Sequence, residues 1–257
     1  MNPQEQFVAF QTIFYKEIKR FLRIWSQTIL PPVITTVLYF LIFGTLIGGR
    51  IGEIEGFSYM QYIVPGLIMM SVITNSYSNV VSSFYGAKFA KAIEEMLVSP
   101  MPNYIIVAGY VAGGVARGLC VGFVVTVVAL FFTDLHLEHI VLTMSIVLLT
   151  SILFSLAGLL NGLFANSFDE VNIIPTFVLT PLTYLGGVFY SVNMLPDFWR
   201  NVSFANPILY MVNGFRYGIL GVSDIDPALS LVIISIVVVG FFCLAMWCLN
   251  RGKGIRH

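Results

Sequence analysis

The chain has 257 residues, of which 58% are hydrophobic and only 10% charged, with a mean hydropathy of +0.89. An ordinary soluble domain carries roughly 25% charged residues, and a globule of this size has too much surface to hide so many apolar side chains, so lipid must be the solvent. The formal net charge is zero, and nothing in the global balance points to nucleic acid.

In chain order, residues 1–26 form an amphipathic segment. Phe7, Phe10, Phe14, Ile18, Phe21 and Trp25 recur at spacings of three and four and share one helical face, with Lys16, Lys19, Arg20 and Arg23 on the other side. This pattern predicts a helix lying in the membrane interface; a soluble helix packed on a partner is the alternative. Pro31-Pro32 reads as the point where the chain turns into its first span. A crossing takes about 20 mainly apolar residues, and six stretches qualify: 28–48, 61–84, 104–133, 139–163, 172–191 and 228–249. The third exceeds the requirement, which permits tilt or projection into water. No cleavable signal peptide is expected, because the first long apolar run follows a charged segment and lacks a short h-region with its cleavage site. Cys120, Cys243 and Cys248 all fall in apolar stretches and read as packing residues.

The second stretch carries Ser71, Thr74, Asn75, Ser78, Asn79, Ser82 and Ser83 at helical period. Polar side chains in hydrocarbon need partners, so this stripe faces other helices or a wet cavity. Helix packing and a translocation lining are both open. The loop at 85–103 sets Lys88, Lys91, Glu94 and Glu95 at helical spacings beside an apolar side of Ile93, Met96 and Leu97, until Pro100 and Pro102 stop it. Such a short amphipathic helix suits capture by a soluble partner; the plainer reading is a solvated turn with Lys–Glu pairs. In the third stretch Gly109, Gly113, Gly114 and Gly118 permit close helix approach around Arg117. An arginine at mid-membrane costs about 2.5–3.5 kcal/mol, so Arg117 should be paired, snorkelling or facing water, unless the span begins near it and it is merely interfacial. Glu94, Glu95, Asp169 and Glu170 are the candidate partners.

Pro175, Pro181 and Gly186-Gly187 interrupt the fifth stretch, and residues 192–220 follow, rich in aromatics and broken by Pro and Asn. Non-helical backbone at membrane depth survives only when buried in protein or lining a cavity. This region, with Tyr190, Trp199, Tyr210 and Arg216 prominent, therefore reads as re-entrant helices capping an outer mouth. A plain interfacial loop is the alternative. The fold class is thus an all-α membrane protein of one domain: an interfacial helix, six transmembrane helices, and short re-entrant helices before the last span.

Lysine and arginine set the orientation. With the N-terminus cytoplasmic, inside segments hold Lys16, Lys19, Arg20, Arg23, Lys88, Lys91, Arg251, Lys253 and Arg256, and outside segments hold Arg50, Arg200 and Arg216. Nine against three, with an even number of spans, leaves both termini in the cytoplasm. There is no G-x-x-x-x-G-K-[ST] loop and no H-E-x-x-H, and His136 and His139 meet only around the short loop 134–138. Ionisable residues within the spans are almost nil, whereas ion-coupled carriers use intramembrane carboxylates or broken-helix ion sites. The chain carries no energy source of its own.

Together these segments resemble the permease subunits of type-2 ABC exporters. The likeness rests on the amphipathic N-terminal helix, IEEMLVSPMP at 93–102, GGVARG at 113–118, LTPLTYLGGVFYSVNMLPDFW at 179–199 and NPILYMVNGFRYGILG at 206–221. It covers essentially the whole chain. The resemblance implies a homodimer in the bacterial inner membrane beside two copies of a separate ATPase subunit, which would hold ATP and Mg; no cofactor is expected on this chain. It also implies that residues 1–26 are a connecting helix and that Lys91, Glu94, Glu95 and Leu97 belong to a coupling helix docked on the ATPase. Ser71, Asn75, Ser78, Asn79 and Arg117 are candidates for the path of an amphiphilic or lipid-linked substrate: polysaccharide, lipid or hydrophobic drug. Two other classes compete. An integral membrane enzyme acting on lipids needs converging His, Asp or Glu, and a self-standing carrier needs the missing ionisable groups.

Overall fold

A computed structural model of the protein describes residues 1–254, with residues 45–47 described by backbone alone; Arg256 lies outside the described residues. About 80% of the chain is helical. Helix α1 (Pro3–Arg23) leads into α2 (Trp25–Tyr39), which continues through a π-helical stretch (Phe40–Ile47) into the short α3 (Gly48–Ile51). A small antiparallel hairpin, β1 (Glu53–Ile54) and β2 (Phe57–Ser58), precedes α4 (Tyr59–Phe89). Then come α5 (Ala92–Val98), α6 (Asn103–Ala129) and α7 (Ile140–Phe164). Helix α8 (Phe168–Ile174) runs through a π-helical turn (Pro175–Leu179) into α9 (Thr180–Tyr184). Two shorter helices, α10 (Asp197–Phe204) and α11 (Pro207–Leu220), stand before α12 (Pro227–Asn250).

Among the described residues, four segments are long and apolar enough to cross a membrane: Trp25–Ile51, α6, α7 and α12. The other two predicted spans depart from that set for different reasons. Helix α4 has 31 residues, about 46 Å at 1.5 Å per residue, which exceeds a hydrocarbon layer of about 30 Å. Its polar stripe is what dilutes its hydropathy. The α8–α9 stretch ends at Tyr184, short of the predicted limit at 191, because Gly187 turns the chain at φ +71°.

Helix α4 is the axis of the bundle. Ser58 caps it, accepting from the Gln61 amide at 3.4 Å while the Gln61 side chain accepts from the Ser58 amide at 3.2 Å. It packs on α6 and α7 and, in its N-terminal half, on α11. Gly158 of α7 sits where a Cβ would lie 2.5 Å from the Tyr77 carbonyl oxygen, so the two backbones touch. A second apolar cluster, including Ile13, Phe84, Ile93, Tyr110, Leu159 and Leu163, closes the end that carries α5. All three cysteines are free.

Helix α1 departs from the sequence reading. Ile13, Glu17 and Phe21 are buried, and α1 lies against α6, where Gly109 and Gly113 leave room for Ile13 and Glu17. Phe7 and Trp25 are exposed, but Lys16 and Arg20 turn onto the bundle and not away from it. The chain bends at Ile24 (φ −109°, ψ 35°), not at Pro31-Pro32, which lie inside α2. Each proline deprives the carbonyl four residues back of its donor, and the residues concerned, Gln27 and Thr28, border a polar cavity that can solvate those carbonyls.

The Gly158 contact generates a stability prediction. Gly158→Val should lower the thermal midpoint of the purified protein by an amount matching about 2–3 kcal/mol of overpacking. Gly86→Ala, where an added Cβ meets nothing within 4 Å, should leave it unchanged or raise it slightly, since alanine is the better helix former. Equal midpoints for the two variants would refute the backbone contact.

Candidate translocation site

The polar stripe of α4 divides into two halves with different partners. Toward the α5 end it is consumed by α1. Ser83 donates to Glu17 Oε1 at 2.5 Å, and Arg20 donates to Glu17 Oε2 at 3.3 Å, to Ser82 Oγ at 3.2 Å, and to both the carbonyl and the amide oxygen of Asn79 at 2.7 Å. Glu17 is fully buried. A carboxylate survives there only because a guanidinium and a hydroxyl replace its water. Lys16 adds a longer contact to the Tyr110 hydroxyl at 3.5 Å. This half of the stripe is helix-to-helix glue, and Asn79 belongs to it.

The other half lines a cavity of about 300 Å³ between α2 and α4. Thr28, Thr35 and Thr36 of α2 face Ser71, Thr74, Asn75 and Ser78 of α4, and Arg117 of α6 reaches the same space. The structure therefore brings Ser71, Asn75, Ser78 and Arg117 together and leaves Asn79 to α1. Arg117 donates from Nη2 to Asn75 Oδ1 at 3.2 Å, while its buried Nε has no partner among the described residues. It is paired, as one reading of the sequence held, but to an amide and not to any of the carboxylates considered.

At the α5 end, Lys91 adopts a left-handed conformation (φ 59°) and a two-residue turn, Ala90-Lys91, joins α4 to α5. Ile93 is buried and Met96 and Leu97 are half-buried against the second apolar cluster, so Leu97 points inward. Lys91, Glu94 and Glu95 are exposed. Sequence reasoning missed two exposed apolar neighbours, Phe89 (68%) and Val98 (88%), whose only signal is that they fall off the Ile93–Leu97 face. Lys88 donates to the Leu163 and Ala165 carbonyls at 2.7 and 2.9 Å, closing the end of α7. Burial pulls its ammonium below the usual lysine range, with Glu170 partly opposing.

At the opposite end, Arg216 of α11 is fully buried. It stacks 4.0 Å over the Tyr62 ring and donates to the Gly187 and Tyr62 carbonyls at 2.6 and 3.3 Å. Tyr210 donates to the Phe204 carbonyl at 2.8 Å, tying α11 back to α10. Tyr190 is half-buried, whereas Trp199 lies exposed on α10 beside Phe198. The organising residue here went unread in the sequence: Asp224 accepts from the Ser191 hydroxyl at 2.5 Å, the Val192 amide at 3.1 Å and the Asn193 side chain at 2.9 Å. Partial desolvation, then the charge of Asp224, push the Glu55 carboxyl of the hairpin up from its ordinary value.

A helical bundle with helices of membrane-crossing length around a hydroxyl-lined cavity is the frame of an integral membrane protein. The comparison with protein families makes that specific: residues 8–220 match the ABC-2 type transporter family, so the chain belongs to that family and is a membrane transport subunit. It is 57% identical over 249 residues to the inner membrane transport permease YadH of Escherichia coli K12, covering 97% of each chain. It is also 23% identical to nodulation protein J of Rhizobium leguminosarum, over 88% of this chain and 90% of that one. A further match at 23%, to nodulation protein J of Rhizobium meliloti, covers 77% of each chain.

The Glu17 network carries its own prediction. Glu17→Ala, which takes from Ser83 its acceptor and from Arg20 its countercharge, should destabilise the purified protein by about 1–3 kcal/mol, and Glu17→Gln, which can still accept from Ser83, by clearly less. Thermal unfolding in a mild detergent measures both, and a silent Glu17→Ala would mean the buried pair holds nothing together.

Proposed function

We propose that this chain is the membrane half of an ATP-driven exporter in a bacterial inner membrane, working as a homodimer with two copies of a separate ABC ATPase that binds ATP and Mg. Six crossings are assigned: the four apolar segments, α4, and the α8–α9 stretch with its following turn. Both termini and α5 then face the cytoplasm, in keeping with the excess of lysine and arginine there. Helices α10 and α11 are the re-entrant pair on the outer side; at 14 residues α11 reaches only about 21 Å, too short to cross.

The observation that carries this reading is the joint between α5 and α4. A helix with Glu94, Glu95 and Val98 on its free face, and Lys91 exposed in the turn before it, is tied through two residues to the helix whose middle walls the polar cavity. A partner that grips α5 must move that wall. Helix α1, latched to α4 through Glu17 and Arg20, is fitted to move with it. The cargo best suited to a cavity of hydroxyls and amides is amphiphilic or lipid-linked. A hydrophobic drug is the second reading, favoured by an apolar cavity of about 360 Å³ lined by Phe154, Leu160, Leu182, Ile208 and Phe241.

Purification from native membranes in mild detergent should bring down a stoichiometric Walker-type ATPase. In that complex Glu95→Lys and Val98→Asp should leave expression normal and cut transport-linked ATPase activity about tenfold, as loss of a contact worth about 1.4 kcal/mol does. Unchanged activity in both variants would remove α5 as the point of coupling. A chain that comes out alone, and stays inert when ATPase is added back, would sink the exporter reading itself.

A further inference from the structure

The cavity between α2 and α4 has an electrostatic character that its polarity alone does not convey. Its lining includes the Arg117 guanidinium and no aspartate or glutamate. Arg117 spends one N–H on the Asn75 amide and keeps a buried, unpartnered Nε. Glu17, the carboxylate buried on the α1 side, is already taken by Arg20 and Ser83. Arg20 itself adds positive charge that acts on Arg117 and does not offset it.

A cation held away from bulk water without a countercharge is costly, and burial normally comes with a partner. At Arg216, which also keeps one buried nitrogen (Nη1) without a partner among the described residues, the cost is met within the protein, by two carbonyls, a ring face and the nearby charges of Asp224 and Glu55. At Arg117 it is not, and the difference is that Arg117 opens onto space. A guanidinium presents paired N–H donors in a planar fork that matches two oxygens of a phosphate, sulfate or carboxylate. The hydroxyls of Thr35, Ser71 and Ser78 on the same lining can donate to an anion, whereas Thr74 spends its proton on the Met70 carbonyl. Leu67, Met70 and Tyr39 supply an apolar flank. A volume of about 300 Å³ is room enough for a single headgroup.

We infer that the α2–α4 cavity is a binding site for an anionic headgroup of phosphate type, with Arg117 as its countercharge. This deepens the permease reading and rests on it for the identity of the bound molecule as cargo. The chemistry is shared by the head of an amphiphile and by a free anion, and the test separates them.

The test uses the purified full chain in a neutral maltoside detergent, without ATPase or ATP, so failure of ATPase coupling leaves it untouched. The thermal midpoint is followed during titration with dodecyl phosphate, dodecyltrimethylammonium and inorganic phosphate. Dodecyl phosphate should raise the midpoint saturably, and the cationic chain should not. Arg117→Lys, which keeps the charge and loses the fork, should bind about tenfold more weakly, and Arg117→Gln should lose the saturable shift. Should Arg117→Gln fail to fold, Arg117→Lys and the cationic arm still decide. A saturable, Arg117-dependent shift with inorganic phosphate at similar concentrations would support the anion site and assign it to a soluble source. Equal shifts from both dodecyl compounds, or an Arg117→Lys titration identical to that of the unsubstituted chain, would overturn the site.

Discussion

Hydrocarbon offers no hydrogen bonds, so every hydroxyl and amide carried into it must end on a carbonyl of its own helix, on another helix or on trapped water. Helix α4 takes seven such side chains into the bundle on one stripe, and most of the architecture follows from finding them partners. The stripe forces α4 to the centre. It draws in α1, whose Glu17 and Arg20 satisfy one half, and it leaves the other half facing a cavity because α2 brings threonines and two prolines instead of close-packing bulk. The glycines of α6 and α7 are the complement of this arrangement: backbones must come close if short polar side chains are to reach across.

Two arginines show how differently the same group can be housed. Arg216 is enclosed and fixes α11 to the start of α4 and to the turn at Gly187. Arg117 stands at the edge of open volume with donor capacity left over. The first is a structural rivet whose charge is absorbed by local dipoles and an aromatic face; the second leaves a positive potential in the place where a passing molecule would feel it.

Much of this was legible in the sequence, and the omissions have identifiable causes. The seven-residue stripe, the apolar side of α5 and the broken region before α12 are periodic or compositional signals, and each corresponds to the structure found there. The seating of α1 was not legible, because Glu17 looks like any surface glutamate until Gly113, on a distant helix, supplies the notch that accepts it. Pro31-Pro32 misled for the opposite reason. The local rule for proline is sound, but a cavity beside the helix relieved the carbonyls that would otherwise force a turn. Partners such as Asn75 for Arg117, or Asp224 for Ser191, are separated by tens of residues and carry no local mark.

The two walls of the cavity differ in compliance. Helix α4 is hydrogen-bonded and packed along nearly its whole length, so it resists bending. Helix α2 lacks two ladder bonds at its prolines, and loosens into a π-helical stretch beyond Tyr39. A load shared between them will be taken up almost entirely as curvature of α2. The volume of the space is then set by one flexible stave moving against a rigid post, so its size can change while the hydroxyls of the post keep their spacing.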